Sequence, residues 1–224
     1  MTTLGQIKGM LGPFVERHPD LYPIGPWLIV KPVHHVVRGI LIDRTGDADR
    51  FQPRWAIVNL CDPLHSFPLD WGELLYRPEH GLWKWSDPSA TADLLQIVEE
   101  VALPVLRPLE TLESFSAFVN SDRFGSNPLR LFPLRKPRVD AALGNLDAAR
   151  SSCHSIATTT TIWHGPAFDQ ERESVTRDLC RLLRKNDIPG IARLLREWEA
   201  FTARNLKIDS IWEPTPFPLE LQSH

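Results

Sequence analysis

The sequence predicts an α+β protein, with a mostly antiparallel sheet in the N-terminal half, flanking helices and a helical C-terminal portion. Three observations favour this class. Short segments rich in β-branched residues, separated by turn residues, fill the first ninety residues. A wide apolar stripe at helical spacing follows them, and helical periodicity dominates from about residue 139 to residue 205.

The predicted strands are short and bounded by proline or by turn residues, which is typical of an antiparallel meander. We expect them at residues 26–30, 35–43, 54–60, 73–77 and 82–85. The first two are expected to pair, and residues 78–81 are expected to form the hairpin connection between the last two.

The predicted helices follow the 3.6-residue spacing of apolar side chains. We expect them at residues 4–14, 88–106, 111–119, 139–149, 169–185 and 188–205, with an interruption of the fourth at Gly144 and Asn145. Asp87 and Pro88 resemble an N-cap and a first helical residue, and Pro104 is expected to bend or end the helix that follows. Residues 212–224 are rich in proline and are predicted to be an extended strap or a mobile tail.

The domain organisation is predicted from a proline-rich and glycine-containing segment at residues 120–137. This segment would join a sheet region at 1–120 to a helical region at 121–224. The alternative is that the two regions form one continuous domain. The charge also changes there. The first region holds 10 basic and 15 acidic residues and the second holds 15 and 13, a shift from −5 to +2.

Composition excludes several classes of protein. A net charge of −3 argues against nucleic acid as a partner, and no apolar run reaches the length of a membrane helix. Cys61, Cys153 and Cys180 are an odd and widely spaced set, which favours reduced thiols over a disulfide framework. We therefore expect a soluble cytoplasmic protein without a signal peptide, and we leave its oligomeric state open.

A histidine and carboxylate set at the sheet end is the catalytic candidate. His35 precedes a predicted strand, and Asp62 and His65 follow the end of another, so the three could meet as a hydrolase site. A metal site is not expected, because the ligand spacings of zinc sites are absent. The alternative is a turn in which Cys61 fills an apolar gap and His65 lies on the surface.

Other chemistry has little support in the sequence. Cys153, His154 and His164 could supply a thiol and a base, but no cysteine-protease signature surrounds them and a structural role is favoured. No glycine-rich phosphate loop is present, so no nucleotide or other cofactor is expected.

Two groups of residues are candidates for binding another protein. Arg177, Arg181 and Arg184 recur on one helical face, opposite an apolar stripe. Trp83 and Trp85 share one face of a predicted strand, where core packing is the favoured explanation and a binding patch the alternative.

A further basic cluster lies in the proline-rich loop. It consists of Arg130, Arg135, Lys136 and Arg138. For all of the arginines the simpler explanation is a solvated surface balanced by acids such as Glu173 and Asp178.

We therefore expect a non-catalytic protein-binding protein with an accessory or immunity-like role. The alternative is an unfamiliar hydrolase that uses His35, Asp62 and His65.

Overall fold

A computed structural model describes residues 3–69, 71–77, 81–121, 129, 133–158 and 166–222. The chain divides into two compact units that alternate along the sequence. The first unit comprises Met1–Val58, Phe67–Glu110 and Lys207–Glu213. The second comprises Asn59–Ser66, Thr111–Leu206 and Pro214–His224. The proposed division into regions 1–120 and 121–224 stays a prediction.

The first unit contains a six-stranded sheet, which confirms the predicted α+β class. Its strands are β1 (Leu21–Ile24), β2 (Trp27–Val30), β3 (Val36–Arg44), β4 (Arg50–Asn59), β5 (Trp71–Leu74) and β6 (Trp83–Lys84). The order is β1-β2-β3-β4-β5, and β6 also pairs with β4. The predicted pairing of the two strands around Lys31 is confirmed by the antiparallel register Leu28↔Ile40.

Two features of the sheet differ from the expectation. The sequence does not predict β1, because Pro23 interrupts a short segment. Proline is tolerated there since β1 lies at the edge of the sheet. β5 and β6 both pair with β4, through Arg54↔Leu74 and Phe51↔Trp83. Of the predicted hairpin connection, only Gly81 lies among the described residues.

The helices follow the predicted order. They are α1 (Leu4–Arg17), α2 (Ala90–Ile97), α3 (Leu103–Leu106), α4 (Leu112–Val119), α5 (Lys136–Ala142), α6 (Leu146–Thr158), α7 (Pro166–Ser174), α8 (Cys180–Lys185), α9 (Ile188–Asn205) and α10 (Pro218–Leu221). Two π-helical turns, Val98–Ala102 and Val175–Leu179, connect α2 to α3 and α7 to α8. None of the described helices combines the length and apolar character needed to cross a bilayer.

Local sequence signals explain most of the helix ends. Thr111 caps α4 with its side chain, and Asp187 caps α9 by accepting a hydrogen bond from the Gly190 backbone at 2.9 Å. Gly144 separates α5 from α6 with a φ of +81°, a backbone conformation that favours glycine. Asn186 ends α8 in the same left-handed region, with a φ of +53°.

Three expectations about helices need correction. α1 runs through Pro13 and ends at Arg17. α2 begins after Ser89 instead of after Asp87. The tail is not wholly extended, because it contains α10 and the fully buried side chain of Phe217.

Asp87 serves a different purpose from the predicted N-cap. Its Oδ2 atom accepts a hydrogen bond from Arg77 Nη1 at 2.6 Å, and its Oδ1 atom accepts from the Ser89 backbone at 2.9 Å. Arg77 is buried, also pairs with Asp93, and lies over the Trp83 ring with 5.1 Å between its guanidinium carbon and the ring centroid. The hydrogen bond from Arg77 is the main cause that lowers the pKa of Asp87 to about 2.

The lowered pKa of Asp87 predicts a loss of stability in acid. An aspartate with a folded-state pKa of about 2 and an ordinary value of 3.8 stabilises the fold fully above about pH 4. That contribution is lost as the pH falls towards about 2. Asp87→Asn should therefore show a shallower decrease in melting temperature over this range than the wild type, measured by circular dichroism.

Asp209→Asn is the control for this prediction, since Asp209 is an exposed aspartate of the same unit. The control should keep the wild-type pH dependence. If both variants lose the same part of it, the ion pair with Arg77 does not produce the acid sensitivity.

Candidate partner-binding surface

The three predicted catalytic residues lie in different surroundings. His35 is buried in the first unit, whereas Asp62 and His65 belong to the second. Asp62 is 1% exposed and pairs with arginines instead of with His65. His65 is exposed and lies edge-on to the Phe201 ring, with 5.1 Å between the centroids. The joint catalytic role of the three residues stays a prediction.

Asp62 is part of a buried charge network in the second unit. Its Oδ1 atom lies 3.2 Å from Arg138 Nη1, and its Oδ2 atom lies 3.5 Å from Arg135 Nε. Its backbone carbonyl accepts a hydrogen bond from the Thr202 hydroxyl. Burial raises the pKa of the Asp62 carboxyl, and the two arginines act in the opposite direction.

Arg138 is the centre of this network. Its side chain is fully buried, and its Nη1 atom also donates to Glu171 Oε1 at 2.7 Å. The guanidinium lies over the Trp198 ring, 5.1 Å from its centroid. Among the described residues, neither Nε nor Nη2 of Arg138 has a hydrogen-bond partner. The buried pair is therefore held by one guanidinium nitrogen and by the surrounding aromatic surface.

The predicted basic cluster of the proline-rich loop is thereby corrected. Arg138 and most of Arg135 are buried beside Asp62, and Lys136 pairs with Asp140 at 2.6 Å. Arg130 lies outside the described residues. The described members satisfy acids of their own unit, so they do not form a free basic surface.

The predicted helical arginines are exposed. Arg177 lies on the second π-helical turn, and Arg181 and Arg184 lie on α8. The opposite side of this segment is apolar and buried, through Leu179 and Leu183. This is the amphipathic arrangement that the sequence predicts.

Acids balance only part of this face. Arg177 binds Asp178 through two hydrogen bonds of 3.0 and 3.2 Å, and this contact is the main cause that lowers the pKa of Asp178. Within the described residues, Arg181 and Arg184 form no ion pair with a carboxylate. The predicted neutralised face is therefore present at Arg177. The charge of Arg181 also helps to lower the pKa of Asp178, whereas Arg184 forms no ion pair with a carboxylate among the described residues.

A cavity of about 320 Å³ lies beside Arg184, between α6 and α8. Arg150 contributes to its lining and is held by three acceptors, namely Asp147 at 2.6 Å, Asn186 at 2.7 Å and the Leu183 carbonyl at 3.1 Å. We call the four residues Arg150, Arg177, Arg181 and Arg184 the arginine surface. Arg150 and Arg184 line the cavity, and Arg150 is held there by its pair with Asp147.

A disulfide between Cys153 and Cys180 lines the same cavity. The expectation of reduced thiols is therefore wrong for these two cysteines. They are 27 residues apart and their Cα atoms lie 5.7 Å from each other, because α6 and α8 are neighbours in the second unit. Spacing along the chain cannot reveal such a pairing.

Cys61 is a free thiol with no exposed surface. Its Sγ atom lies 3.8 Å from Glu199 Oε1, and burial is the main cause that raises the pKa of the thiol well above its ordinary value. A protonated thiol is a poor nucleophile. This agrees with the alternative in which Cys61 fills a gap in the core.

The two candidate tryptophans differ in burial. Trp83 is 4% exposed, and its indole N–H donates to the Leu75 carbonyl at 2.7 Å. Trp85 is half-buried and lies against Phe51, with 4.3 Å between the ring centroids. Trp83 is thus a packing residue of the first unit, and a partner contact through Trp85 stays a prediction.

Comparisons with known proteins add no assignment to this geometry. No protein-family model matches the sequence, and neither the curated proteins nor the solved structures gave a significant match. In the part of the chain that the structure describes, no group of three or more histidine, cysteine, aspartate or glutamate side chains could hold a metal ion.

Removing Asp62 should reveal the cost of the buried charge of Arg138. Loss of one partner of a buried pair typically costs about 3 kcal/mol or more, because an uncompensated charge is left in the core. We expect Asp62→Ala to lower the free energy of unfolding by about that amount, measured by urea denaturation. Glu171→Ala, which removes the more exposed acid bound to Arg138, should cost less. Equal losses would contradict the view that Asp62 is the main partner of the buried Arg138.

Reduction of the disulfide should also destabilise the second unit. A crosslink that closes a loop of this length contributes about 2–4 kcal/mol by restricting the unfolded chain. The Cys153→Ser/Cys180→Ser variant should therefore unfold at a lower urea concentration than the wild type. Added reductant should lower the stability of the wild type and leave that of the variant unchanged. An effect of reductant on both proteins would show that its action does not depend on this bond.

Proposed function

We propose that this protein is a non-catalytic binding protein that holds an acidic segment of another protein on its arginine surface. The observation that carries the proposal is the pair Arg181 and Arg184. Both are exposed, and neither forms an ion pair with a carboxylate among the described residues. The cavity beside Arg184 lies next to this unbalanced charge.

The chemistry of the surface suits a carboxylate-bearing partner. A guanidinium presents its N–H groups in a fork that matches the two oxygens of a carboxylate. Among the described residues, Arg184 donates only through its Nε atom, in a hydrogen bond of 3.3 Å to the Cys180 carbonyl. Its terminal nitrogens remain for a partner. Arg150 is already held in place by its three acceptors, which reduces the entropy lost on binding.

An acidic protein fits this surface better than a nucleic acid does. Nucleic-acid binding commonly neutralises several phosphates at once, and the net charge of this chain is −3. Asp147, Glu173 and Asp178 also lie among the arginines. These acids would repel a continuous phosphate backbone, whereas a peptide with separated carboxylates can avoid them.

An accessory or immunity-like role is the form of this function that we favour, with a cytoplasmic location. The Cys153–Cys180 bond bears on that location, because disulfides are rare in cytosolic proteins. In the cytoplasm, the reducing glutathione pool would favour the two free thiols over this bond. Alkylation of free thiols under denaturing conditions, applied directly to the native host and followed by mass spectrometry, measures whether one or three cysteines react.

The alternative is a hydrolase that uses His35, Asp62 and His65. It has less support, since the Asp62 carboxylate is buried and already pairs with two arginines. The His35→Ala/His65→Ala variant separates the two functions. A binding protein should retain its partner in this variant, whereas a hydrolase should lose its activity.

The arginine surface is tested by charge reversal. We expect Arg181→Glu/Arg184→Glu to lose a partner that the tagged wild-type protein captures from its host, because attraction to carboxylates becomes repulsion. The control is Arg193→Glu/Arg204→Glu, which makes the same change in charge at exposed positions of α9.

The captured partner is then purified, and its affinity is measured by titration calorimetry at two salt concentrations. The control variant should bind like the wild type, and binding should weaken in high salt. Equal binding by both variants, or a partner without acidic segments, would contradict the proposal.

A further inference from the structure

A groove in the first unit lies far along the chain from the arginine surface and has a different chemistry. Its volume is about 540 Å³, and it runs between the outer face of α1 and the turn that joins β1 to β2. Leu11, Gly12 and Val15 of α1 and Pro23 of β1 give it a mainly apolar lining. Lys8 and Glu16 also border it.

The face of α1 that borders the groove is open to the approach of another backbone. A Cβ atom added at Gly12, which lines the groove, or at the exposed Gly9 beside it would meet no atom within 4 Å. Each glycine costs a helix roughly 1 kcal/mol relative to alanine. Contacts within the described residues therefore do not explain why glycine is present at these two positions.

The two charged residues are arranged symmetrically about Gly12. Lys8 lies four residues before it and Glu16 four residues after it, about 6 Å away in each direction along the helix axis. Both side chains are exposed, and among the described residues neither has a hydrogen bond or an ion pair. The groove thus has one uncompensated charge of each sign, one on either side of an uncharged centre.

We propose that a second copy of this chain occupies the groove, with the two α1 helices antiparallel and a two-fold axis beside Gly12. In this arrangement Lys8 of each copy lies at the same height as Glu16 of the other, so two equivalent ion pairs form. Val15 of each copy lies at the height of Gly9 of the other, where the missing side chain leaves room for it.

The charge arrangement selects this partner and this direction. A surface with opposite charges equally spaced about its centre is complementary to itself after a two-fold rotation, which is the condition for a closed dimer. A parallel pair would instead place lysine beside lysine and glutamate beside glutamate. Such like-charge contacts oppose association.

The contact is small, so the dimer should dissociate at accessible concentrations. α1 has 14 residues and is about 21 Å long at the α-helical rise. A pair of such helices, with the neighbouring turns, lies near the lower end of specific interface sizes. We expect a monomer–dimer equilibrium in the micromolar range.

Charge exchange tests the proposal. Sedimentation equilibrium should show reversible dimers for the wild type below about 100 µM, as expected for a small interface. Lys8→Glu places a carboxylate beside Glu16 of the other copy, and Glu16→Lys places two ammonium groups together. Each single change should weaken dimerisation by about tenfold or more. The double variant Lys8→Glu/Glu16→Lys reverses both charges and should restore wild-type association.

The design separates the interface from effects on folding. Lys8 and Glu16 are exposed and unbonded among the described residues, so the variants should keep the wild-type circular dichroism spectrum and melting temperature. Lys84→Glu, at an exposed position of β6, is the control and should dimerise normally.

Gly12→Trp gives a second test, since its side chain would fill the centre of the groove and should abolish association. A wild type that stays monomeric up to about 100 µM would overturn the proposal. So would a dimer that neither single charge reversal weakens, or a double variant that remains as weak as the single ones.

Discussion

The pairing of buried guanidinium groups with acceptors in the fold is the constraint on which both units depend. Arg38, Arg77 and Arg138 are each less than 5% exposed, and arginine keeps its charge even when it is buried. Each therefore needs acceptors that the fold holds in place. Arg38 donates to the carbonyls of Pro32 and Arg107, which binds β3 to the segment after α3. Arg77 and Arg138 bind carboxylates. Stability therefore depends on pH at the first site, and loss of the carboxylate at the second would leave an unpaired charge in the core.

The fold class was accessible from the sequence because apolar periodicity reports which face of an element is buried. The β2–β3 pairing, the Thr111 cap and the break at Gly144 all follow from such local signals. Buried arginines are invisible to the same reasoning, because arginine is ordinarily a surface residue. For this reason the sequence predicts that Arg138 belongs to an exposed basic cluster, although it pairs with Asp62 across 76 residues of sequence.

The candidate surface was predictable in part. The spacing of Arg177, Arg181 and Arg184 identifies a common helical face, and the structure exposes all three. Arg150 was missed, since its contribution depends on the packing of α6 against α8. The same packing joins Cys153 to Cys180. The features that local patterns do not predict thus depend on contacts between elements that are distant in sequence. This holds both for the arginine surface and for the charge network of Asp62 and Arg138.

The Cys153–Cys180 bond also fixes the covalent connectivity of the second unit. Its loop includes α7 and the π-helical turn that follows. A peptide bond broken anywhere inside this loop leaves the two fragments joined through sulfur. Such a nicked chain would migrate as two bands on an electrophoresis gel only after reduction. Covalent integrity of the molecule is therefore preserved through a cut that would otherwise separate its N-terminal and C-terminal parts.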